Sequence, residues 1–192
     1  MTFQTIKNWE LIVVDDGSDD DTKELLTYFQ KEDNRIGYFL LRKNSGVGTS
    51  RNCGNYLSRS LYIAVVDSDD LYLPKRAELS IEGLKNYDLF YGSYYEADNR
   101  GRPVILREAE EIDWEKFRKK HYTAGGTTLA YHRDKAIEVP YRWGFRYNDD
   151  YNLLLDWMEA GFKFGFTKEV LAKIRMQPDG ISMTHLEETN NA

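Results

Sequence analysis

Residues 61–72 read LYIAVVDSDDLY, and the rest of the chain organises around them. Ile63, Ala64, Val65 and Val66 form a short apolar run, the pattern of a strand buried on both faces of a parallel sheet. The run ends in Asp67-Ser68-Asp69-Asp70, three carboxylates in four residues. So much charge after a buried strand calls for a cation, and the carboxyl ends of strands are where open α/β sheets bind ligands. Hard divalent ions such as Mg²⁺ and Mn²⁺ take oxygen ligands, usually one or two carboxylates plus substrate phosphates. The stretch therefore predicts a metal-bridged phosphate site. The plainer alternative is that Asp69 or Asp70 caps a helix beginning near Pro74.

The composition narrows the class. A chain of 192 residues with 41% hydrophobic and 30% charged residues fits one soluble α/β domain with a real core. A net charge of −6 argues against a nucleic-acid partner, because phosphate backbones need a basic face. Cys53 is the only cysteine, so no intrachain disulfide forms, and no cysteine–histidine cluster suggests zinc. No apolar run approaches the ~20 residues that span a bilayer, and no signal-peptide pattern is present. The expected location is cytoplasmic, and peripheral membrane contact remains compatible with that.

Outward from residues 61–72, strands and helices alternate. Glu10 to Asp16, ELIVVDD, is a second buried strand ending in acid, followed by a turn at Gly17 and a helix with Leu25, Leu26 and Phe29 as its apolar stripe. Ile36 to Leu41 is a strand, Asn44 to Gly48 a glycine-bearing loop, and Thr49 to Arg59 a helix. A helix is expected over residues 74–84 and a strand over residues 87–95. Asp98-Asn99-Arg100-Gly101 is a turn leading into Val104–Arg107. The alternation predicts a Rossmann-like, doubly wound, mostly parallel sheet. Beyond it come a charged helix over residues 112–120 and a flexible small-residue stretch, Ala124 to Thr128. Asn148-Asp149-Asp150 opens an amphipathic helix closed by Gly161, and two short strands (162–166 and 170–176) precede a polar tail. One domain is expected, with residues 1–93 as the nucleotide-binding half and residues 94–192 as a smaller, partly antiparallel acceptor-side half.

Taken in order, QTIKNWELIVVDDGSDDDT, NSGVGTSRNCG, YIAVVDSDDLYLPKR, NDDYNLLLDWMEAGFKF and VLAKIRMQPDGIS resemble the family 2 glycosyltransferases of the GT-A fold. The resemblance covers most of the chain. It implies metal-dependent transfer of a sugar, with inversion, from a nucleoside-diphosphate sugar, most simply a UDP-sugar, to a hydroxyl on a glycan, lipid-linked or protein acceptor. DSDD becomes the family's DXD motif: Asp69 is the implied ligand of Mn²⁺ or Mg²⁺, and Asp67 holds the ribose or assists the metal, with Ser68 between them. Asp15 and Asp16 match the base-binding strand end, with Asp16 accepting from the nucleobase. Arg51 faces the diphosphate as a bidentate donor. Asp150 matches the aspartate that takes the acceptor's proton. Asp149 stands where the family prefers Glu, and the adjacent carboxylates would disfavour each other's charge.

Alternatives sit beside each reading. Asp15 and Asp16 suit turn-capping at Gly17, Arg51 a solvated helix face, and Asp149 and Asp150 a helix N-terminus. Tyr94, Tyr95, Tyr122 and Trp143 are candidates for stacking on sugar rings or for core, and Tyr91 is read as core. Gln177 stands where the family often has His, ahead of Ser182. Rival functions are a receiver-type signalling module, a nucleotidyltransferase of the same fold, and a non-catalytic descendant that binds sugar nucleotide or glycan. The family also begins with a strand that lies between the partners matching Glu10–Asp16 and Tyr62–Val66. Here the chain opens near the end of the helix that follows it. The expectation is therefore a fragment lacking that strand, with direct pairing of the two flanking strands, or a slot filled by another segment, as alternatives.

Overall fold

The computed structural model describes residues 3–120, 125–143 and 149–176. In chain order the elements are β1 (Leu11–Asp15), α1 (Thr22–Glu32), β2 (Ile36–Leu40), α2 (Val47–Leu57), β3 (Tyr62–Ala64), β4 (Leu71–Tyr72), α3 (Arg76–Gly83), β5 (Leu89–Ala97), β6 (Pro103–Arg107), α4 (Trp114–Lys120), a 3₁₀ turn (Gly126–Thr128), β7 (Ala130–His132), α5 (Arg133–Glu138), α6 (Asp149–Glu159) and β8 (Phe164–Arg175). They divide into two compact units that interleave in sequence. One holds residues 7–63 and 132–161; the other holds residues 1–6, 64–131 and 162–192.

The first unit is built on the parallel pair β1–β2, in register from Leu11 opposite Ile36 to Asp15 opposite Leu40. Parallel neighbours need a crossover, which α1 supplies. Of its expected stripe only Leu26 is buried, while Leu25 and Phe29 are exposed. The core of this unit comes instead from α6, whose Leu153, Leu154 and Trp157 are fully buried, together with Ala136 and Tyr141. Trp157 also donates its indole N–H to the Val139 carbonyl at 2.7 Å, so the ring buries without leaving its one donor unmet.

The second unit carries a mixed sheet. Parallel β5 and β8 form its spine, β6 and β7 pair antiparallel with β5, and β4 pairs antiparallel with β8. β8 is one continuous strand where two short ones were expected, and a register shift opposite Gly92 and Ser93 absorbs the irregularity. Leu89, Phe90, Tyr91, Leu129, Leu171 and Ala172 make the core, so Tyr91 is core as read. The stretch expected to be flexible ends in the 3₁₀ turn, where Thr127 and Thr128 are fully buried. β7 and α5 were not anticipated.

The apolar run Ile63 to Val66 is shorter as a strand than its sequence suggests. β3 ends at Ala64; Val65 is buried and donates its N–H to Leu129, but Val66 is 39% exposed where the chain turns into Asp67. β3 belongs to the six-stranded sheet, beside β7, and β1 to the two-stranded one. Among the described residues β1 and β3 therefore do not pair directly.

Candidate active site

The predicted site residues fall in both units. In the first unit β1 delivers Asp15 and Asp16 to a turn at Gly17. The Asp15 carboxylate accepts from the Ser18 N–H and hydroxyl, which closes the turn. Gly17 has φ +82°, and a Cβ there would lie 2.9 Å from the Asn44 nitrogen, so this turn needs glycine both for its conformation and for its approach. Asp16 uses both oxygens, accepting the N–H of Ser45 at 2.7 Å and of Gly46 at 2.9 Å. A carboxylate thus sits at the entry of α2, where helix N–H groups lack internal partners and negative charge is favoured.

One turn into α2, Arg51 Nη1 donates to Asp149 Oδ2 at 2.5 Å and to Asp150 Oδ1. All three side chains are largely withdrawn from water, at 12%, 12% and 16% exposure. The guanidinium offsets the repulsion of two adjacent carboxylates, and both acids also occupy the first turn of α6. Arg51, expected toward a diphosphate, is held by the carboxylates. Its ring neighbour is Tyr141, 5.4 Å from the guanidinium carbon, and the Tyr141 hydroxyl lies 3.5 Å from Asp150 Oδ1.

Sequence reasoning passed over the residues that brace this cluster. Asn52, fully buried beside Arg51, donates to the Tyr141 carbonyl at 2.8 Å and accepts the Tyr141 N–H at 2.9 Å. Gly48 lets that segment approach: a Cβ there would stand 3.0 Å from the Arg142 carbonyl oxygen and 3.4 Å from the Tyr141 Cβ. The available signal was an Asn on the same motif as Arg51, in a helix whose interior disfavours Asn without a specific partner.

In the second unit Asp67 to Asp70 form a tight turn, closed by the Asp70 N–H to the Asp67 carbonyl at 3.2 Å. The cap alternative for Asp69 and Asp70 does not hold. α3 begins after Lys75, and Gln4 serves its first turn by accepting the Ala77 N–H at 2.9 Å and donating to the Leu73 carbonyl at 2.8 Å. β8 anchors the acidic turn instead: the Arg175 N–H reaches Asp70 Oδ1 at 3.0 Å, and Arg175 Nε reaches the Asp69 carbonyl. Burial, with added repulsion from Asp69 and Asp67, pushes the Asp70 carboxyl up to about 6 although the Arg175 N–H favours its ionised form. Behind the turn Arg76 is fully buried over the Tyr72 ring and donates to the Leu129 carbonyl at 2.7 Å.

The donor set fits a hard divalent ion held jointly with a ligand. Among the described residues no group of three or more His, Cys, Asp or Glu forms a protein-only cage. Asp67 and Asp69 stand on one turn, and carboxylates plus phosphate oxygens are the shell such ions take. Trp143 is 59% exposed and Tyr94 and Tyr95 are half-buried, while Tyr122, Gln177 and Ser182 lie outside the described residues.

The model of glycosyl transferase family 2 matches residues 3–175. The chain belongs to that family. An uncharacterised family relative from Rickettsia conorii is 39% identical over 104 residues; that match spans 53% of this chain and only 17% of the relative. The Escherichia coli UDP-Glc:alpha-D-GlcNAc-diphosphoundecaprenol beta-1,3-glucosyltransferase WfgD is 27% identical over 191 residues, covering 96% of this chain and 72% of WfgD. Among solved structures, residues 1–349 of Staphylococcus aureus TarS with UDP-GlcNAc superpose with a TM-score of 0.73 at 17% identity, over 95% of this chain and 54% of that one. The fold is thus that of the GT-A glycosyltransferases, and the acidic turn and the Arg51 cluster are parts of a family 2 domain. Among the described residues no helix is long and apolar enough to cross a membrane.

Proposed function

We propose that this domain transfers a sugar from a UDP-sugar to a hydroxyl acceptor with inversion, using Mn²⁺ or Mg²⁺. The observation that carries the reading is the partly buried cluster in which Arg51 holds Asp149 and Asp150 together. In the reaction the acceptor oxygen forms a bond to the sugar's anomeric carbon as the bond from that carbon to the diphosphate breaks. The electron pair leaves with the nucleoside diphosphate, and the acceptor's proton passes to Asp150. Arg51 orients Asp150 before the proton arrives, and position is the first requirement of a general base. Asp15, and Asp16 with the Ser45–Gly46 backbone it organises, line the nucleotide side. Asp67 and Asp69 would be the residues that hold the ion, with Ser68 on the same turn. When bound, the ion stabilises the charge developing on the leaving diphosphate.

UDP is preferred because WfgD is named for a UDP-Glc donor and the TarS complex contains UDP-GlcNAc. WfgD's diphosphoundecaprenol-linked acceptor supports a lipid-linked acceptor here, with peripheral membrane contact as its corollary. The test is transfer from a panel of UDP-sugars to a lipid-diphosphate-linked sugar, with and without Mn²⁺. Metal-dependent UDP release that needs both substrates supports the reading. Sugar-nucleotide binding without turnover under every combination sinks it in favour of a binding-only descendant.

A further inference from the structure

β6 is an exposed edge strand of unusual composition. Each of its residues is solvent-exposed, including Val104 at 67%, Ile105 at 44% and Leu106 at 43%, and among the described residues β6 pairs with β5 alone. Unpaired edges carrying apolar side chains recruit further strands unless charge, proline or a covering element blocks them. Here Pro103 withholds one donor at one end, and the apolar triplet between Pro103 and Arg107 carries no blocking charge.

The sequence around this edge is complementary to itself. Two copies laid antiparallel about Ile105 place Val104 opposite Leu106 and Arg102 opposite Glu108, each twice by symmetry. Beyond Arg107 the ladder ends but the chain stays beside β5: the Ala109 N–H reaches Ser93 Oγ at 3.0 Å, and the Tyr91 hydroxyl donates to the Glu110 carbonyl. Glu108 therefore lies on the strand's extension and is exposed, as is Arg102, whose partner within the hairpin is the neighbouring surface residue Asp98. Within one copy Leu106 faces Tyr95 across the β5–β6 pair. The symmetric register extends that row from Tyr95 through Leu106 to the second copy's Val104, so one apolar stripe crosses the axis on a single face of the sheet. Shift the register by one residue and Ile105 faces Val104 or Leu106, the stripe breaks, and the Arg102–Glu108 pairing is lost.

From this charge and apolar complementarity we propose that β6 is a homodimer interface, in which the mixed sheets of two copies join edge to edge through antiparallel β6 strands centred on Ile105. The contact is narrow, so its dissociation constant lies on the order of 1–100 µM.

Sedimentation velocity across that range tests it. The wild-type chain should convert from monomer to dimer with concentration. Ile105→Lys, which sets two ammonium groups together on the axis, should remain monomeric with an unchanged circular dichroism spectrum. Arg102→Glu and Glu108→Arg each turn both charge pairs repulsive and should weaken dimerisation about tenfold; an equimolar mixture of the two variants restores opposite signs at both pairs and should recover it. Independently of charge, Ile105→Cys on a Cys53→Ser background should oxidise to a covalent dimer, whereas Val104→Cys, which faces Leu106 rather than itself, should not. A wild-type chain that stays monomeric at the top of the range overturns the proposal, as does a dimer that Ile105→Lys leaves intact.

Discussion

Arg51 Nη1 lies 2.5 Å from Asp149 Oδ2, joining residues 98 apart in sequence, and the same nitrogen serves Asp150. One cation between two adjacent, largely buried carboxylates is a poised arrangement. Remove it and both acids face each other with little water to screen them. Arg51→Ala should therefore cost about 2–4 kcal/mol of stability at neutral pH, near the lower part of the range for breaking a buried pair because each group keeps some exposure. Urea denaturation checks this, and Arg51→Lys, which keeps a positive charge beside the carboxylates, should lose less than Arg51→Ala. Equal losses in the two variants would mean that packing, not charge, is what Arg51 supplies.

Asp150→Asn keeps the size and polarity of the side chain but removes the proton acceptor. We expect near-normal UDP affinity with a transfer rate lowered by about 10²-fold or more. Asp149→Asn, which shares Arg51 but not the role of base, should slow transfer much less. Initial rates of UDP release separate the two, and full activity in Asp150→Asn would place the base elsewhere.

Asp69→Ala bears on the metal. With α3 served by Gln4 rather than by Asp69, the substitution removes no helix cap. Any loss of ligand response is therefore not a by-product of fraying. In thermal-shift measurements UDP should stabilise the wild-type chain more with Mn²⁺ than without, and Asp69→Ala should lose only that added part. Equal Mn²⁺-dependent shifts in both proteins would remove Asp69 from the metal shell.

Gln4→Ala should have the opposite profile. Its amide, 2% exposed, bonds the Ala77 N–H and the Leu73 carbonyl, and removing it orphans both. A destabilisation of about 1–3 kcal/mol follows from the unmet buried groups, with UDP affinity unchanged once the protein is folded.

What was legible in the sequence follows from range. The strand ends Asp15-Asp16 and the acidic turn announce themselves because apolar runs terminating in charge are local patterns. The helix opened by Asp149 is legible for the same reason. The Arg51–Asp149 meeting joins residues 98 apart in sequence, so spacing alone did not show that the two touch. Val66 misled because hydrophobicity marks what is able to be buried, and the turn into Asp67 sets where the strand stops. β7 and α5 were missed because Ala130–His132 is too short for period-two alternation to show, and Arg133–Glu138 reads as a charged surface stretch. The cap assigned to Asp69 or Asp70 failed for want of a long-range partner: Gln4 reaches α3 from 73 residues away.

The last expectation concerns Asp70, whose carboxyl is raised from 3.8 to about 6 chiefly by burial and then by Asp69 and Asp67. In the folded chain the proton is held more tightly than in the unfolded chain. Between those two values Asp70 binds more proton in the native state than in the unfolded state, so its own contribution to stability should fall as pH rises through roughly 4 to 6 and level off above. Asp70→Asn abolishes the titration while its amide oxygen still accepts the Arg175 N–H. Relative to wild type the variant should gain stability toward neutral pH and match it most closely near pH 4. Urea titrations across that window in the presence of a chelator supply the measurement, since a divalent ion would favour the ionised carboxylates and mask the effect. A wild-type profile that rises through this window, with Asp70→Asn parallel to it, would show that the Arg175 N–H outweighs burial and that the turn holds Asp70 ionised.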